Sequence, residues 1–61
     1  MKKYYKIWDG RNRLLFMTLE IATARDFMEN LLGRKFTYKE FNIPYKNARF
    51  YEGFKVEIVE L

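Results

Sequence analysis

Sixty-one residues permit one domain, and a domain of that size buries only about 60% of the surface its unfolded chain exposes, so it lies near the lower limit of independent stability. The chain has no Cys, no His and no Ser, which removes the disulfide staple, the thiolate nucleophile, the imidazole base and every serine triad. Its net charge of +4 is an alternation: residues 1–13 carry +4, residues 14–33 carry −2, residues 34–49 carry +4 and residues 50–61 carry −2.

Residues 4–8 (YYKIW) alternate and are rich in strand formers, which predicts a first strand. Asp9-Gly10, with Arg11 and Asn12, predicts a short hairpin loop in which Gly10 supplies a positive φ. Residues 13–21 (RLLFMTLEI) predict the second strand. Leu15, Met17, Leu19 and Ile21 make its wholly apolar face and are assigned to the core, which leaves Leu14, Phe16, Thr18 and Glu20 on the other side. Thr23-Ala-Arg-Asp26 has the form of an N-cap with an acidic residue three positions on. It predicts a helix through ARDFMENLL, with Ala24, Phe27, Met28, Leu31 and Leu32 on the buried stripe and Gly33 as the C-terminal stop. A start at Thr18 also satisfies helical spacing, but LLFMTLEI offers a helix no polar face. Asp26 and Glu29 fall on the solvent side, where they complement the helix dipole more plausibly than they pair for catalysis.

Thr37-Tyr-Lys-Glu40 is a second Thr-x-x-Glu box and predicts a single helical turn over residues 38–42, after which Pro44 pushes Ile43 into an extended conformation. Residues 49–61 predict a strand interrupted at Glu52-Gly53, with Phe54, Val56 and Ile58 alternating against Lys55, Glu57 and Val59. The expected fold class is α+β, a single domain over residues 1–61. It comprises a β-hairpin, one amphipathic helix, a short helical turn and a C-terminal strand, forming a three-stranded antiparallel sheet with the helix on one face. The other face would carry Tyr4 or Tyr5, Leu14, Phe16, Val59 and Leu61, with nothing long enough to cover it. A homodimer through that face or through an edge strand would resolve the exposure.

The longest unbroken apolar run is four residues (Leu14, Leu15, Phe16, Met17), so no transmembrane span is expected. The opening MKKYYKIWDG lacks an apolar h-region, so the reading is no signal peptide and a cytoplasmic location. No catalytic residue, cofactor or metal site is assigned. Phosphate-binding glycine loops are missing because Gly10, Gly33 and Gly53 are widely spaced.

Binding is what remains. Residues 34–51 (RKFTYKEFNIPYKNARFY) interleave six aromatic rings with five cations and a single carboxylate. The cations Arg34, Lys35, Lys39, Lys46 and Arg49 suit phosphates, with Tyr38 or Tyr45 to stack on bases. The same residue types dominate protein–protein hot spots. Phe36, Phe41 and Phe50 read as core plugs, which leaves Tyr38 and Tyr45 with the surrounding cations as contact residues. Trp8, beside Asp9-Gly10, either anchors a partner or closes the small core, and both readings stay open. The acidic residues on the helix and the banded charge favour a protein partner over nucleic acid, with a nucleic-acid-binding regulator using residues 34–51 as the alternative.

With its Met-Lys-Lys start, hairpin, single helix and returning strand, rich in Lys, Tyr, Phe, Glu and Ile, the chain resembles the small orphan proteins of phages and mobile elements of low-GC Gram-positive bacteria. The resemblance spans all 61 residues and contains no diagnostic motif. It implies a stoichiometric inhibitor of host machinery, such as an anti-CRISPR or other anti-defence protein, or a small nucleic-acid-binding regulator.

Overall fold

The computed structural model describes residues 2–43 and 47–60. Their element order is β1 (Lys3–Trp8), β2 (Leu14–Thr18), α1 (Ile21–Leu32), β3 (Ala48–Tyr51) and β4 (Phe54–Glu60). The strands form one antiparallel sheet in the order β2-β1-β4-β3. The architecture is α+β with one helix, as the sequence implies, but the sheet has four strands and not three. The interruption at Glu52-Gly53 is a hairpin. Both residues have positive φ, 51° and 91°, and Tyr51 pairs with Phe54 across them. Two consecutive positive φ values make the type I′ turn whose twist matches that of antiparallel strands. In the first hairpin the positive φ falls on Asn12 (64°) and not on Gly10. The Asp9 carboxylate organises that loop by accepting the backbone N–H groups of Arg11 (2.8 Å) and Arg13 (2.9 Å).

Register assigns the two faces, because directly opposed residues share a side. Ile7 lies opposite both Phe16 and Val56, and Tyr5 lies opposite Thr18 and Ile58. This side meets the helix. Phe16 stacks on Phe27 with centroids 4.5 Å apart and rings 3° from parallel, while Ile7, Ala24, Met28 and Val56 are wholly buried. The face assignment made for the second strand is therefore inverted: Phe16 points inward, and Leu15, Met17, Leu19 and Ile21 are exposed. Ile7 fixes this outcome by placing the large Phe16 ring beside the helix, and the register slip between Ile7 and Trp8 leaves Leu15 as an extra, bulged residue.

The strand also stops at Thr18, and the helix begins at Ile21 without the predicted Thr23 cap. Glu20 holds the N-cap position in an extended conformation with no side-chain cap bond. Its carbonyl accepts the Ala24 N–H at 3.1 Å, and the Thr23 hydroxyl reaches the Glu20 carboxylate at 3.4 Å. Because the helix starts earlier, its first turn contains no acidic residue, and the expected dipole role of Asp26 and Glu29 does not hold. At the other end Gly33 adopts φ 69° and donates its N–H to the Glu29 carbonyl, which is the expected stop. Leu31, expected on the buried stripe, is exposed.

α1 packs over β1 and β2, and the β4–β3 half of the same face is covered by the chain that follows it. Phe36, Phe41 and Ile43 are buried there. Phe36, Phe41 and Tyr51 form a three-ring cluster with centroids 5.3–5.6 Å apart, and the Tyr51 hydroxyl donates to the Glu40 carbonyl at 2.9 Å. The Thr37–Glu40 box forms reciprocally, Thr37 N–H to the Glu40 carboxylate at 3.0 Å and Glu40 N–H to the Thr37 hydroxyl at 3.2 Å. It supports one turn, closed by the Phe41 N–H on the Thr37 carbonyl, that does not propagate into a helix. Phe36 and Phe41 thus hold the fold as expected. Phe50 does not: its side chain is 73% exposed on the opposite face of β3.

Candidate interaction surface

The side of the sheet away from α1 has no element of the described chain over it. Two rows of opposed residues cross it. One runs Leu14, Trp8, Lys55, Phe50, and the next runs Met17, Lys6, Glu57, Ala48, with Tyr4 opposite Val59 beyond them. Trp8, the last residue of β1, sits in the row at the hairpin end of the sheet. Its indole N–H donates to the Glu57 carboxylate at 3.1 Å, and the Lys55 and Lys6 ammonium groups stand 5.4 and 5.9 Å from its ring centre. Both distances are within cation–π range. The hydrogen bond anchors the indole edge, and the two ammonium groups stand over the ring. The result is an apolar and aromatic patch with Leu14, Met17 and Phe50 exposed around a partly buried Trp. Trp8 is therefore not a core plug, since it lies outside the buried cluster.

The other predicted contact residues that the structure describes lie apart from Trp8. Arg34 lies over Phe36 (4.1 Å) on the helix side and donates to Glu40 and Glu52, each at 3.2 Å, and to the Lys35 carbonyl. It ties the crossing segment to the β3–β4 turn. Glu40 is held below the ordinary carboxylate range by the Thr37 backbone N–H and then by Arg34 and the Thr37 hydroxyl. Lys35 approaches Glu29 at 3.8 Å with its own side chain 93% exposed. Glu29, expected in solvent, is largely enclosed and accepts the Phe36 N–H at 2.8 Å. Tyr38 is 81% exposed in the Thr37–Glu40 turn, and Lys39 and Arg49 are also exposed. Tyr45 and Lys46 lie outside the described residues.

The structure thus separates Trp8 from Arg34, Lys35, Tyr38, Lys39 and Arg49 and places Phe50, Lys6, Lys55 and Glu57 around it. The signal for those residues was in the sequence: recognising Glu52-Gly53 as a hairpin sets Phe50 opposite Lys55 and continues the alternation of β4 onto β3. A shallow concavity of about 280 Å³ at the end of α1 is lined by Glu29, Asn30, Gly33, Arg34 and Lys35, several of which already hold the crossing segment in place. Among the described residues, no group of three or more acidic side chains is arranged to hold a metal ion, and no helix is long and apolar enough to cross a membrane. Compared with protein-family models, curated proteins and solved structures, the chain matches none.

Proposed function

We propose that this chain is a non-enzymatic binding module that docks a protein surface onto the helix-free side of its sheet and acts stoichiometrically by occluding that surface. The observation that carries the reading is Trp8 with Lys6 and Lys55 beside its ring and Glu57 on its indole N–H. A protein partner can pack around this ring, cover Leu14, Met17 and Phe50 and offer carboxylates to the two lysines. Aromatic anchors ringed by polar groups are the usual anatomy of such an interface. The resemblance to phage and mobile-element proteins supports a host protein as the target, with inhibition of a defence enzyme as the biological role and the cytoplasm as its place.

The alternative reading, a nucleic-acid-binding regulator, draws on residues 34–51. It is weakened because Arg34 is committed to Glu40 and Glu52. Lys39, Arg49 and the exposed Tyr38 remain its best support. The two readings separate by salt and by mutation. Capture from a nuclease-treated host lysate should recover a protein with the wild type and lose it with Trp8→Ala. Tyr38→Ala and Arg49→Ala should change capture little. Sub-micromolar oligonucleotide binding with a steep salt slope would reverse the preference.

A further inference from the structure

Residues 14–19 contain no charge, no Pro and no Gly, and most of them form β2, one of the two edges of the sheet. An edge strand presents unpaired backbone N–H and C=O groups, and monomeric proteins blunt such edges with charge, Pro or a covering loop. The opposite edge follows that rule, since β3 carries Arg49 within four residues. β2 carries neither charge nor Pro and has only a bulge, at Leu15. Eight large apolar side chains stand exposed among the described residues, and five of them are Leu14, Leu15, Met17, Leu19 and Ile21. The bulge at Leu15 bends one end of the strand but leaves residues 16–18 in regular register.

We propose that β2 pairs antiparallel with β2 of a second copy about a two-fold axis, joining two four-stranded sheets into one of eight. Charge selects this occupant over an arbitrary apolar peptide. One end of the stretch is basic, with the exposed Arg11 beside Arg13, whose guanidinium bonds Asp9 at 2.8 Å and leaves a net positive charge there, and the other ends on the exposed Glu20. An antiparallel copy sets the basic end of each strand near the acidic end of the other, whereas a parallel copy sets like against like. A self-complementary patch of this kind is what an isologous contact requires.

The pairing leaves the Trp8 face open and doubles it. The two β1 strands would be three inter-strand spacings apart, roughly 14 Å, so two docking faces would lie side by side on one continuous sheet. The inference is independent of the proposed partner, because no partner is needed to test it.

The test is sedimentation equilibrium of the full chain from low to high micromolar concentration, with far-ultraviolet circular dichroism on each variant. The wild type should approach twice the 7.6 kDa monomer mass. Met17→Lys should return 7.6 kDa with the fold retained, and Phe50→Lys, on the other edge, should remain dimeric. A wild type that stays at 7.6 kDa throughout overturns the proposal. So does a dimer that Phe50→Lys abolishes and Met17→Lys leaves intact. Should Met17→Lys fail to fold, hydrogen exchange on the wild type decides the matter. Amide protection over residues 14–18 that rises with protein concentration supports the pairing, and protection independent of concentration overturns it.

Discussion

Glu29 joins the helix to the segment that covers half the core, and its removal should be costly for a reason that can be isolated. One carboxylate oxygen accepts the Phe36 N–H at 2.8 Å, and the other lies 3.8 Å from the Lys35 ammonium. The Glu29 side chain is only 12% exposed and that of Lys35 is 93% exposed. The backbone bond and the ion pair should therefore differ in worth. Glu29→Ala leaves the partly buried Phe36 N–H without its acceptor, at a cost of about 2 kcal/mol. The exposed ion pair contributes less than about 1 kcal/mol. A 61-residue domain has on the order of 3–9 kcal/mol of total stability. A loss of 2 kcal/mol therefore lowers Tm by roughly 8–16 °C, at about 4–8 °C per kcal/mol for small domains. Glu29→Gln keeps an acceptor and removes the charge, so it should lose about 1 kcal/mol or less, and Lys35→Ala less again. Thermal and urea unfolding followed by circular dichroism measures all three. If Lys35→Ala is as damaging as Glu29→Ala, or if Gln is no better than Ala, the ion pair dominates and the reasoning from the backbone bond is wrong.

The β3–β4 turn supplies a matched pair of substitutions. Glu52 adopts φ 51°, a region Asn tolerates better than Glu, so Glu52→Asn should stabilise by about 0.5–1 kcal/mol, less the small worth of the exposed Arg34–Glu52 bond. Gly53→Ala should destabilise by about 1 kcal/mol from backbone strain alone, because at φ 91° its Cβ would meet nothing within 4 Å. Thermal melts that show the opposite order would contradict the turn assignment. Asp9 is held below the ordinary aspartate range, by the Arg13 backbone N–H first and the Arg11 N–H and Arg13 guanidinium after it, with partial desolvation opposing them. A depressed folded-state pKa means its stabilisation is present above the unfolded pKa and is lost as pH falls through the folded value. Carboxyl NMR should show Asp9 titrating below an ordinary aspartate, and Asp9→Ala should flatten the acid limb of the stability profile; an unshifted Asp9 would contradict the loop geometry.

The elements whose determinants are local were legible in the sequence. Gly33 ended the helix, the Thr37–Glu40 box formed its reciprocal bonds, and Phe36 and Phe41 went into the core. What failed depended on non-local pairing. The apolar runs of residues 14–21 satisfy either face of a strand equally well, and only the pairing of Phe16 with Ile7 and its stack on Phe27 decide between them. Glu52-Gly53 lacks the usual Asn or Asp at its first position, so a hairpin read as an interruption. That single misreading hid β3, sent Phe50 to the core and dispersed the residues that surround Trp8. The cations of residues 34–49 looked like a patch because sequence shows charge and not its partner, and Arg34 in fact spends its guanidinium on Glu40 and Glu52.

Trp8 is the chain's single tryptophan, so in the isotope-labelled chain its indole N–H resonance reports on the helix-free sheet face, and its fluorescence does so after subtraction of the partner's own emission. Titrating the captured partner protein should shift both signals, and Trp8→Ala should weaken its binding by about 30-fold or more, the equivalent of a 2 kcal/mol hot spot. A single-stranded oligonucleotide should leave both signals unmoved. Partner binding indifferent to Trp8→Ala, or a tight oligonucleotide complex that shifts the indole and dissolves steeply with salt, would contradict the assignment of this face to a protein.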